Sequence, residues 1–410
     1  MDRYRRTFEP PGAVRFFVPG AVARLGVAMT GLAVLWAVRG ASGSYGVAGM
    51  ATGAFAIADA VVGPQVARCI DRWGQRRVVP VVVAVFVASA TALVVACACG
   101  APGWLLPMLA GLAGASVPAV GALSAARWRH LLRSPRQLST ALSSESALND
   151  LAFLIGPVLV TTLSAVVVGW AGLALAAAFV AVGIAGLLTS RATEPPAARS
   201  GQGRLVDRRL LARPFLALFA ANLALGLFFG AAPVAITAFA VSQHVGALAG
   251  AITAVSGVLS LLSGLVYGAA GSRRPLPVMI MASIVISVGA AGLAMVPAVP
   301  IMFLGYGVVG GCIALVLVPA AILLQRSTAV AVYTQAMTWI NSASAIGIAI
   351  AAPVVGRLIE QHGWRSGFLG TGALAAALPI TLLVGAGVLR RAQEVDSGAE
   401  PVEATITSRS

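Results

Sequence analysis

Three ionisable side chains lie inside long apolar stretches of this sequence. Arg24, Asp59 and Asp150 each fall near the middle of a run that is long enough to cross a bilayer. Charged groups at that depth are costly and are therefore functional candidates. One cation and two anions predict an ion pair plus one unpaired carboxylate, which could bind a proton or a cationic substrate. A purely structural arginine–carboxylate pair is the alternative interpretation.

Other polar residues accompany them at helical spacing. Glu145 and Asn149 share one face of a helix, whereas Asp150 lies on another. One face could line a cavity while the other packs against neighbouring helices, and both assignments stay open. In the second half of the chain the polar candidates are uncharged: Asn222, Thr338 and Asn341. We expect all of these residues, with Arg24 and Asp59, to lie along a proton or substrate pathway.

A second group of charges occupies a short segment between two apolar runs, at residues 69–80. It combines one acid, one glycine and three arginines: Asp71, Arg72, Gly74, Arg76 and Arg77. A related segment later in the chain contains Gly271, Arg273 and Arg274. Arginines alone would set membrane topology. The acid and the glycine need a further explanation.

The composition identifies the solvent around the apolar runs. Of 410 residues, 59% are hydrophobic and only 10% are charged, and the mean hydropathy is +0.93. Soluble domains average roughly 25% charged residues, so this chain must expose its apolar surface to lipid. The net charge of +15 comes from arginine alone. Because these arginines lie in short loops, membrane topology accounts for them better than nucleic-acid binding does.

Enzymatic and metal chemistry find no support in the sequence. The four cysteines and three histidines lack metal-ligand spacing. The apolar runs contain no HExxH, paired catalytic aspartates or serine-centred elbow. We therefore expect no enzymatic activity, no metal and no cofactor.

Twelve apolar runs reach the length of roughly 20 residues that a membrane helix needs. They are continuous rather than alternating in period two, which favours helices over a barrel. The predicted spans are 15–38, 46–70, 78–98, 103–125, 138–166, 168–190, 213–241, 246–270, 276–296, 299–325, 330–359 and 364–389. The predicted fold class is an all-α polytopic membrane protein of twelve helices in two pseudo-symmetric six-helix bundles.

The loop arginines predict the orientation. They concentrate in the loops that follow even-numbered spans and in the terminal segments, so both termini should be cytoplasmic. The one long polar interior stretch is rich in Pro, Gly, Ser and Arg and predicts a flexible linker. The expected organisation is a bundle at 1–190, a cytoplasmic linker at 191–212, a second bundle at 213–390 and a disordered cytoplasmic tail at 391–410.

The two halves repeat one another. "GQRRVVP" at 74–80 corresponds to "GSRRPLP" at 271–277, and "GW" at 169–170 corresponds to "GW" at 363–364. The segment at 149–160 likewise corresponds to 341–356. Ordered matches of this kind indicate two related halves in the same orientation with binding at their interface, which is a transporter arrangement.

These landmarks resemble the major facilitator superfamily, over essentially the whole chain. The signature between its second and third spans is matched here by Asp71, Arg72, Gly74 and the pair Arg76–Arg77, although its first glycine is Ala67. The resemblance implies that this loop is a cytoplasmic gate. In that case Asp71 would meet the positive N-terminal end of span 11 when the gate closes. The family's antiporter signature in span 5 survives only in part, as Gly156–Pro157.

The same resemblance makes spans 1 and 5 neighbours around the cavity. We therefore expect Arg24 to pair with Asp150, which leaves Asp59 as the proton-binding group. An Arg24–Asp59 pair is the alternative.

The function that follows is secondary active transport of a small organic solute by alternating access, as a proton-coupled exporter of the drug-efflux-like type. The alternatives are an uptake permease, proton-coupled or facilitative, and a non-transporting sensor or assembly protein on the same fold. The expected partners are a small-molecule substrate, protons and the lipid bilayer, with no nucleic acid. We expect a monomer in the cell inner (plasma) membrane.

Overall fold

A computed structural model describes residues 8–132, 134–195, 212–270, 275–327 and 330–390. Most of the linker predicted at 191–212 lies outside the described residues, and so does the tail at 391–410. The second basic loop, with Gly271, Arg273 and Arg274, also lies outside them. The structural statements below refer to the described part of the chain.

The described chain is helical and contains no β-strand, which confirms the predicted fold class. Twelve helical segments are long and apolar enough to cross a membrane, as predicted. We call them spans 1 to 12: Ala13–Ser42, Tyr45–Trp73, Gln75–Ala98, Leu105–Leu131, Gln137–Val166, Ala171–Thr189, Arg213–Ser242, Gly246–Ala269, Pro275–Met295, Val299–Gln325, Ala336–His362 and Trp364–Val384. The helices around spans 5 and 11 start earlier, at Pro135 and Val330.

Some spans are interrupted within the apolar region. Span 4 consists of the helices Leu105–Ala115 and Val120–Leu131, and Pro118 lies in the gap between them. Span 10 is divided into Val299–Gly311 and Ala314–Ser327. Non-helical backbone at membrane depth is tolerated where protein or a cavity surrounds it. The gap in span 4 meets this condition, because Val117 lines the central cavity described below.

Helices pack closely within and between the two sets of six spans. Span 1 packs along span 6, span 2 along span 4, and span 7 along span 11. Between the two sets, span 2 packs along span 11 and span 5 along span 8. Lipid tails are as apolar as the side chains, so close van der Waals contact drives these pairings. Small residues permit it: a Cβ on Gly183 of span 6 would lie 2.3 Å from the backbone nitrogen of Ala23 in span 1.

The two ends of the bundle differ in charge. One end, which we call the arginine-rich end, carries the loop with Arg72, Arg76 and Arg77. The opposite, arginine-poor end carries the connections after Ser42 and His362. At the arginine-rich end Gly74 ends span 2 with a φ of +85°. Because L side chains rarely adopt this conformation, the glycine permits the tight turn into span 3.

Candidate functional site

A cavity of about 710 Å³ lies between the two sets of spans. Its walls come from spans 1, 2, 4 and 5 on one side and from spans 7, 8, 10 and 11 on the other. Most of the lining is aliphatic, with three phenylalanines, Phe55, Phe153 and Phe229. A cavity of this size and character suits a small, largely apolar organic molecule.

Asp59 is the one ionisable side chain in the cavity lining. Its side chain is exposed and faces this open space from span 2. In the described part of the chain no arginine or hydrogen-bond donor pairs with its carboxylate. Of the two candidate carboxylates, Asp59 is therefore the one that a solute or a proton in the cavity would meet.

Threonine hydroxyls supply most of the other polar atoms of the wall. Thr52, Thr161 and Thr253 donate their hydroxyl hydrogens to carbonyl oxygens four residues earlier in their own helices, at 2.9–3.0 Å. A hydroxyl has one hydrogen but two acceptor lone pairs. With its hydrogen already engaged, each of these threonines presents an acceptor. Apart from Thr237, for which no such bond is described, the threonines of the cavity wall therefore present hydrogen-bond acceptors, and Asp59 adds one carboxyl group.

The arginine-poor end of the cavity is closed by direct contact between spans 2 and 11. A Cβ on Gly49 would lie 2.3 Å from the carbonyl oxygen of Ala352, and one on Gly53 would lie 2.7 Å from that of Ala349. The two backbones therefore touch over more than one helical turn. Here glycine is required because any side chain would push the helices apart.

Spans 5 and 8 close the same end on the other side. Thr161 accepts a hydrogen bond from the backbone N–H of Gly250 at 3.0 Å and contacts the carbonyl oxygen of Ala247 at 3.3 Å. A Cβ on Gly250 would lie 2.4 Å from the carbonyl oxygen of Pro157. These contacts join the two sets of spans above the cavity.

The cavity continues towards the arginine-rich end. Asp150 is exposed and lies three residues before Phe153 and seven before Pro157, on the helical face of span 5 that lines the cavity. Thr338 and Asn341 are also exposed, seven and four residues before the lining residue Ala345 of span 11. These three predicted pathway residues therefore border the approach to the cavity.

The partner of Arg24 is Glu145, so the predicted Arg24–Asp150 pair is wrong. Both side chains are more than nine-tenths buried, and they form an ion pair through Nη2 and Oε2. Nη1 also donates to the carbonyl oxygen of Glu145 at 3.4 Å. The alternative pair, Arg24 with Asp59, is not formed either. The physical reason is the helical face: Glu145 points into the bundle towards span 1, whereas Asp150 points to the cavity side.

Glu145 has further partners from span 4. Its Oε1 accepts hydrogen bonds from the hydroxyl of Ser124 and, at 2.7 Å, from the indole Nε1 of Trp128. Asn149 is half-buried one turn along the same face of span 5. Arg24 and Glu145 thus tie spans 1, 4 and 5 together away from the cavity, in a structural role.

Asn222 is also turned away from the cavity. It is buried in span 7, and its side-chain amide donates to the carbonyl oxygen of Leu218 in its own helix at 3.1 Å. The cavity lining does not include it. Its pathway role stays a prediction without a contact to support it.

The loop after span 2 exposes its charges at the arginine-rich end. Asp71, Arg72, Arg76 and Arg77 are all exposed. Asp71 borders a small pocket of about 170 Å³ beside Gly74, and the described residues include no ionic partner for it. The N-terminus of the helix that contains span 11 begins at Val330, next to residues outside the description. The expected gate contact therefore stays a prediction.

Arg127 is a buried residue that looks like a loop charge in the sequence, because it follows the predicted end of span 4 at residue 125. It lies within span 4, is 1% exposed, and donates from Nε to Gln75 at 2.9 Å. Its Nη1 donates to the carbonyl oxygens of Leu187 and Ser190, both at 2.9 Å, and to the hydroxyl of Thr193 at 3.1 Å. This residue fixes the end of span 6, and the residues after it, to spans 3 and 4.

Sequence reasoning also missed the aromatic lining residues. Phe55, Phe153 and Phe229 lie in apolar runs among residues of similar hydropathy. Two of them had a usable signal: Phe55 is one helical turn from Asp59, and Phe153 is three residues from Asp150. Phe229 had no polar neighbour to mark its face.

Comparison with known proteins agrees with this arrangement. The family model described as Major Facilitator Superfamily matches residues 16–245 and 214–408. A search of curated proteins finds no match.

Among solved structures, the nucleoside transporter NupG is 13% identical, covers 92% of this chain and 99% of its own, and gives a TM-score of 0.72. The peptide transporter POT in complex with sulfate is 15% identical, covers 93% and 96%, and gives 0.71. The POT family transporter PepTSo is 11% identical, covers 94% and 99%, and gives 0.70. At these identities the likeness shows the fold.

Proposed function

This chain belongs to the Major Facilitator Superfamily, and we propose that it exports small, largely apolar organic cations in exchange for protons. Membership and the twelve membrane helices make it a multi-pass membrane protein and a secondary transporter of small molecules, not an enzyme. The nature of the solute, the coupling ion, the direction and the membrane are parts of the proposal. They rest on the chemistry of the cavity.

The observation that carries the proposal is a single carboxylate in an apolar cavity. Asp59 faces the space between the two sets of spans without a described partner, while Arg24 is occupied by Glu145. An unpaired carboxylate in such surroundings is stabilised either by a proton or by a bound cation. Competition of the two for one site gives exchange, because each must leave before the other binds.

The rest of the wall supports the class of solute. Thr52 and Thr253, whose hydrogens are engaged, offer acceptors, so a hydrogen-bond donor on the solute would be satisfied. The phenylalanine faces attract a cation as well as an apolar ring. An anionic solute would meet a repulsive carboxylate and few donors.

The direction follows from the same apolar character. Lipophilic organic molecules cross bilayers unaided, so an uptake carrier would add little to their entry. Removing them against their own leak requires a driving force, and the inward proton gradient of a plasma membrane supplies one. We therefore assign export. Because the cavity is lined by spans of a single chain, we also propose that the protein acts as a monomer.

The orientation and the gate complete the proposal. With the arginine-rich end in the cytoplasm, the described conformation is open to the cytoplasm and closed outside. Asp71 and the arginines around it would then form the cytoplasmic gate, with Gly271, Arg273 and Arg274 as its counterpart. The two six-span halves would rock about the cavity, joined through the linker.

The test uses inside-out membrane vesicles and the fluorescent aromatic cation ethidium as the probe. With the vesicle interior acidified, vesicles that contain the protein should accumulate ethidium, and collapse of the proton gradient should release it. The Asp59→Asn variant should lose this accumulation, because its amide cannot bind and release a proton. Exchange of ethidium down its own gradient should persist with a raised KM.

The matched control is Asp150→Asn, which removes a carboxylate from the approach to the same cavity. This variant should keep proton-driven accumulation. An Asp59→Asn protein that still accumulates ethidium in proportion to the gradient would show that the coupling site lies elsewhere. Accumulation only in vesicles of the opposite orientation would identify an uptake carrier.

A further inference from the structure

The closed, arginine-poor end contains a contact between one charged side chain and a helix N-terminus. Oε1 of Glu360, in the last turn of span 11, accepts a hydrogen bond from the backbone N–H of Gly46 at 3.1 Å. Gly46 is the second residue of span 2. The two residues are 314 positions apart in the sequence, and their contact joins the first set of six spans to the second.

This bond adds to the cap of span 2. The first N–H groups of a helix have no partner within the helix. The hydroxyl of Ser44 accepts from the N–H of Val47 at 3.0 Å, and Glu360 accepts from the N–H of Gly46. A Cβ on Gly46 would lie 2.9 Å from Oε2 of Glu360. The glycine therefore provides the space that the carboxylate occupies.

The position of Glu360 within its own helix is unfavourable. A carboxylate in the last turn lies at the negative end of the helix dipole, where cations are preferred. The N-terminus of span 2 offers it the opposite, positive end. The charge of Glu360 therefore gains from the dipole of span 2 only while spans 2 and 11 are in contact.

That contact depends on the closure of the arginine-poor end. A Cβ on Gly356 would lie 2.2 Å from the carbonyl oxygen of Tyr45, so span 11 touches the first residue of span 2 as closely as backbones can. Opening of this end must separate these backbones and with them Glu360 from Gly46. We propose that Glu360 is a gate residue, which holds the arginine-poor end closed by pairing its charge with the N-terminus of span 2.

The opposite end of the same helix pair has the mirrored arrangement. Asp71 lies in the last turn of span 2, and spans 2 and 11 run in opposite directions. Each helix therefore carries an acid near its C-terminus, at the level of the other helix's N-terminus. In this scheme Glu360 and Asp71 engage in turn: one contact forms as the other breaks, and the two charges balance the inward-open and outward-open states.

The experiment measures opening at the closed end in whole cells. Ala352 is fully buried against span 2, so a cysteine at this position reacts only when that end opens. The Ala352→Cys reporter is placed in a protein whose native residues Cys69, Cys97, Cys99 and Cys312 are replaced. A membrane-impermeant maleimide is then added from outside.

Removal of the charge should open this end. Glu360→Gln keeps an oxygen acceptor but loses the charge, and labelling of the reporter should rise about two- to fivefold. Glu360→Asp should restore labelling to near the parent rate. Gln361→Ala, at the adjacent exposed residue, is the matched control and should not change it.

The scheme predicts the opposite change in labelling when the charge of Asp71 is removed. Asp71→Asn should lower labelling at the reporter, and the double variant Glu360→Gln/Asp71→Asn should return it towards the parent rate. An unchanged or reduced rate in Glu360→Gln would overturn the proposal, provided that the protein reaches the membrane in normal amounts. Equal increases in Glu360→Gln and Glu360→Asp would assign the effect to packing rather than charge. Because labelling needs no substrate, this result is independent of the proposed solute and coupling ion.

Discussion

Removing Glu145 from its buried pair with Arg24 should destabilise the protein much more than removing Arg24. Glu145→Gln removes the negative charge while preserving the shape of the side chain. Arg24 would then be a buried cation with only neutral acceptors, the amide oxygen of the new side chain and the backbone carbonyl oxygen at residue 145. Loss of one partner from a buried pair costs about 3–5 kcal/mol. The Glu145→Gln protein should therefore be strongly destabilised.

The reverse substitution should be milder. In Arg24→Gln the carboxylate of Glu145 keeps the hydroxyl of Ser124 and the indole N–H of Trp128 as donors. Hydrogen bonds to a charged group contribute about 1.5–3 kcal/mol each, so they offset much of the lost attraction. The double variant Arg24→Gln/Glu145→Gln removes both charges. Its stability should return to within about 1–2 kcal/mol of the parent, since neutral replacement of a buried pair is often tolerated.

The assay is thermal unfolding of the detergent-purified protein, followed by the reactivity of its native cysteines, of which Cys97 is buried. For a unit of 150–250 residues, about 3–5 kcal/mol corresponds to a fall in Tm of roughly 6–20 °C. We expect that fall in Glu145→Gln, a smaller one in Arg24→Gln and near recovery in the double variant. A double variant no more stable than Glu145→Gln would refute the reasoning, because the loss would then not be caused by the stranded charge.

Two further predictions concern stability and topology. Asp150→Asn should leave the free energy of unfolding within about 0.5 kcal/mol of the parent, as expected for an exposed side chain with no described partner; a loss of stability as large as that of Glu145→Gln would restore Asp150 as a structural partner. Single cysteines at Arg39 and His362 should react with an impermeant reagent from outside, whereas cysteines at Arg129 and Gly201 should not. External labelling at Gly201 would break the twelve-span, two-half arrangement.

The spans could be predicted because the lipid constraint acts on composition. Any segment in the hydrocarbon region must satisfy its own backbone and present apolar side chains, and both requirements are visible residue by residue. The predicted ends of the spans differ from those in the structure by up to about six residues. The tight turn at Gly74 could also be predicted from residue type, whereas the role of Asp59 in coupling stays a prediction.

The pairing of Arg24 could not be read in the same way. Glu145 and Asp150 are five residues apart, so they differ by about 140° around the helix. The choice between them depends on which face of span 5 meets span 1, and that is decided by contacts such as the one between Gly156 and Met29. Nothing in the local sequence encodes this rotation. The prediction that Arg24 pairs with Asp150 used only the fact that spans 1 and 5 are neighbours. That fact does not distinguish the face of span 5 with Glu145 from the face with Asp150.

Arg127 shows a related difficulty. Its neighbours Arg129 and His130 continue a basic stretch, and charge alone gives all of them the same interpretation. The contacts that distinguish the buried arginine from the exposed one come from distant parts of the chain, and they include the backbone carbonyl oxygens of Leu187 and Ser190, 60 or more residues away. Every residue has a backbone carbonyl oxygen, so the sequence does not show which of these oxygens will accept a hydrogen bond from a buried arginine.

The anchoring of residues 190–194 also limits how the two halves are tied to each other. Arg127 holds Ser190 and Thr193, and the carboxylate of Glu194 accepts the backbone N–H of Arg76 at 3.0 Å. The covalent tether between the halves is therefore the stretch at 196–211, sixteen residues with a maximum reach of roughly 55 Å. A chain of that maximum length leaves the relative position of the halves to contacts between the helices. In the described residues such contacts include the one between Glu360 and Gly46 at the arginine-poor end.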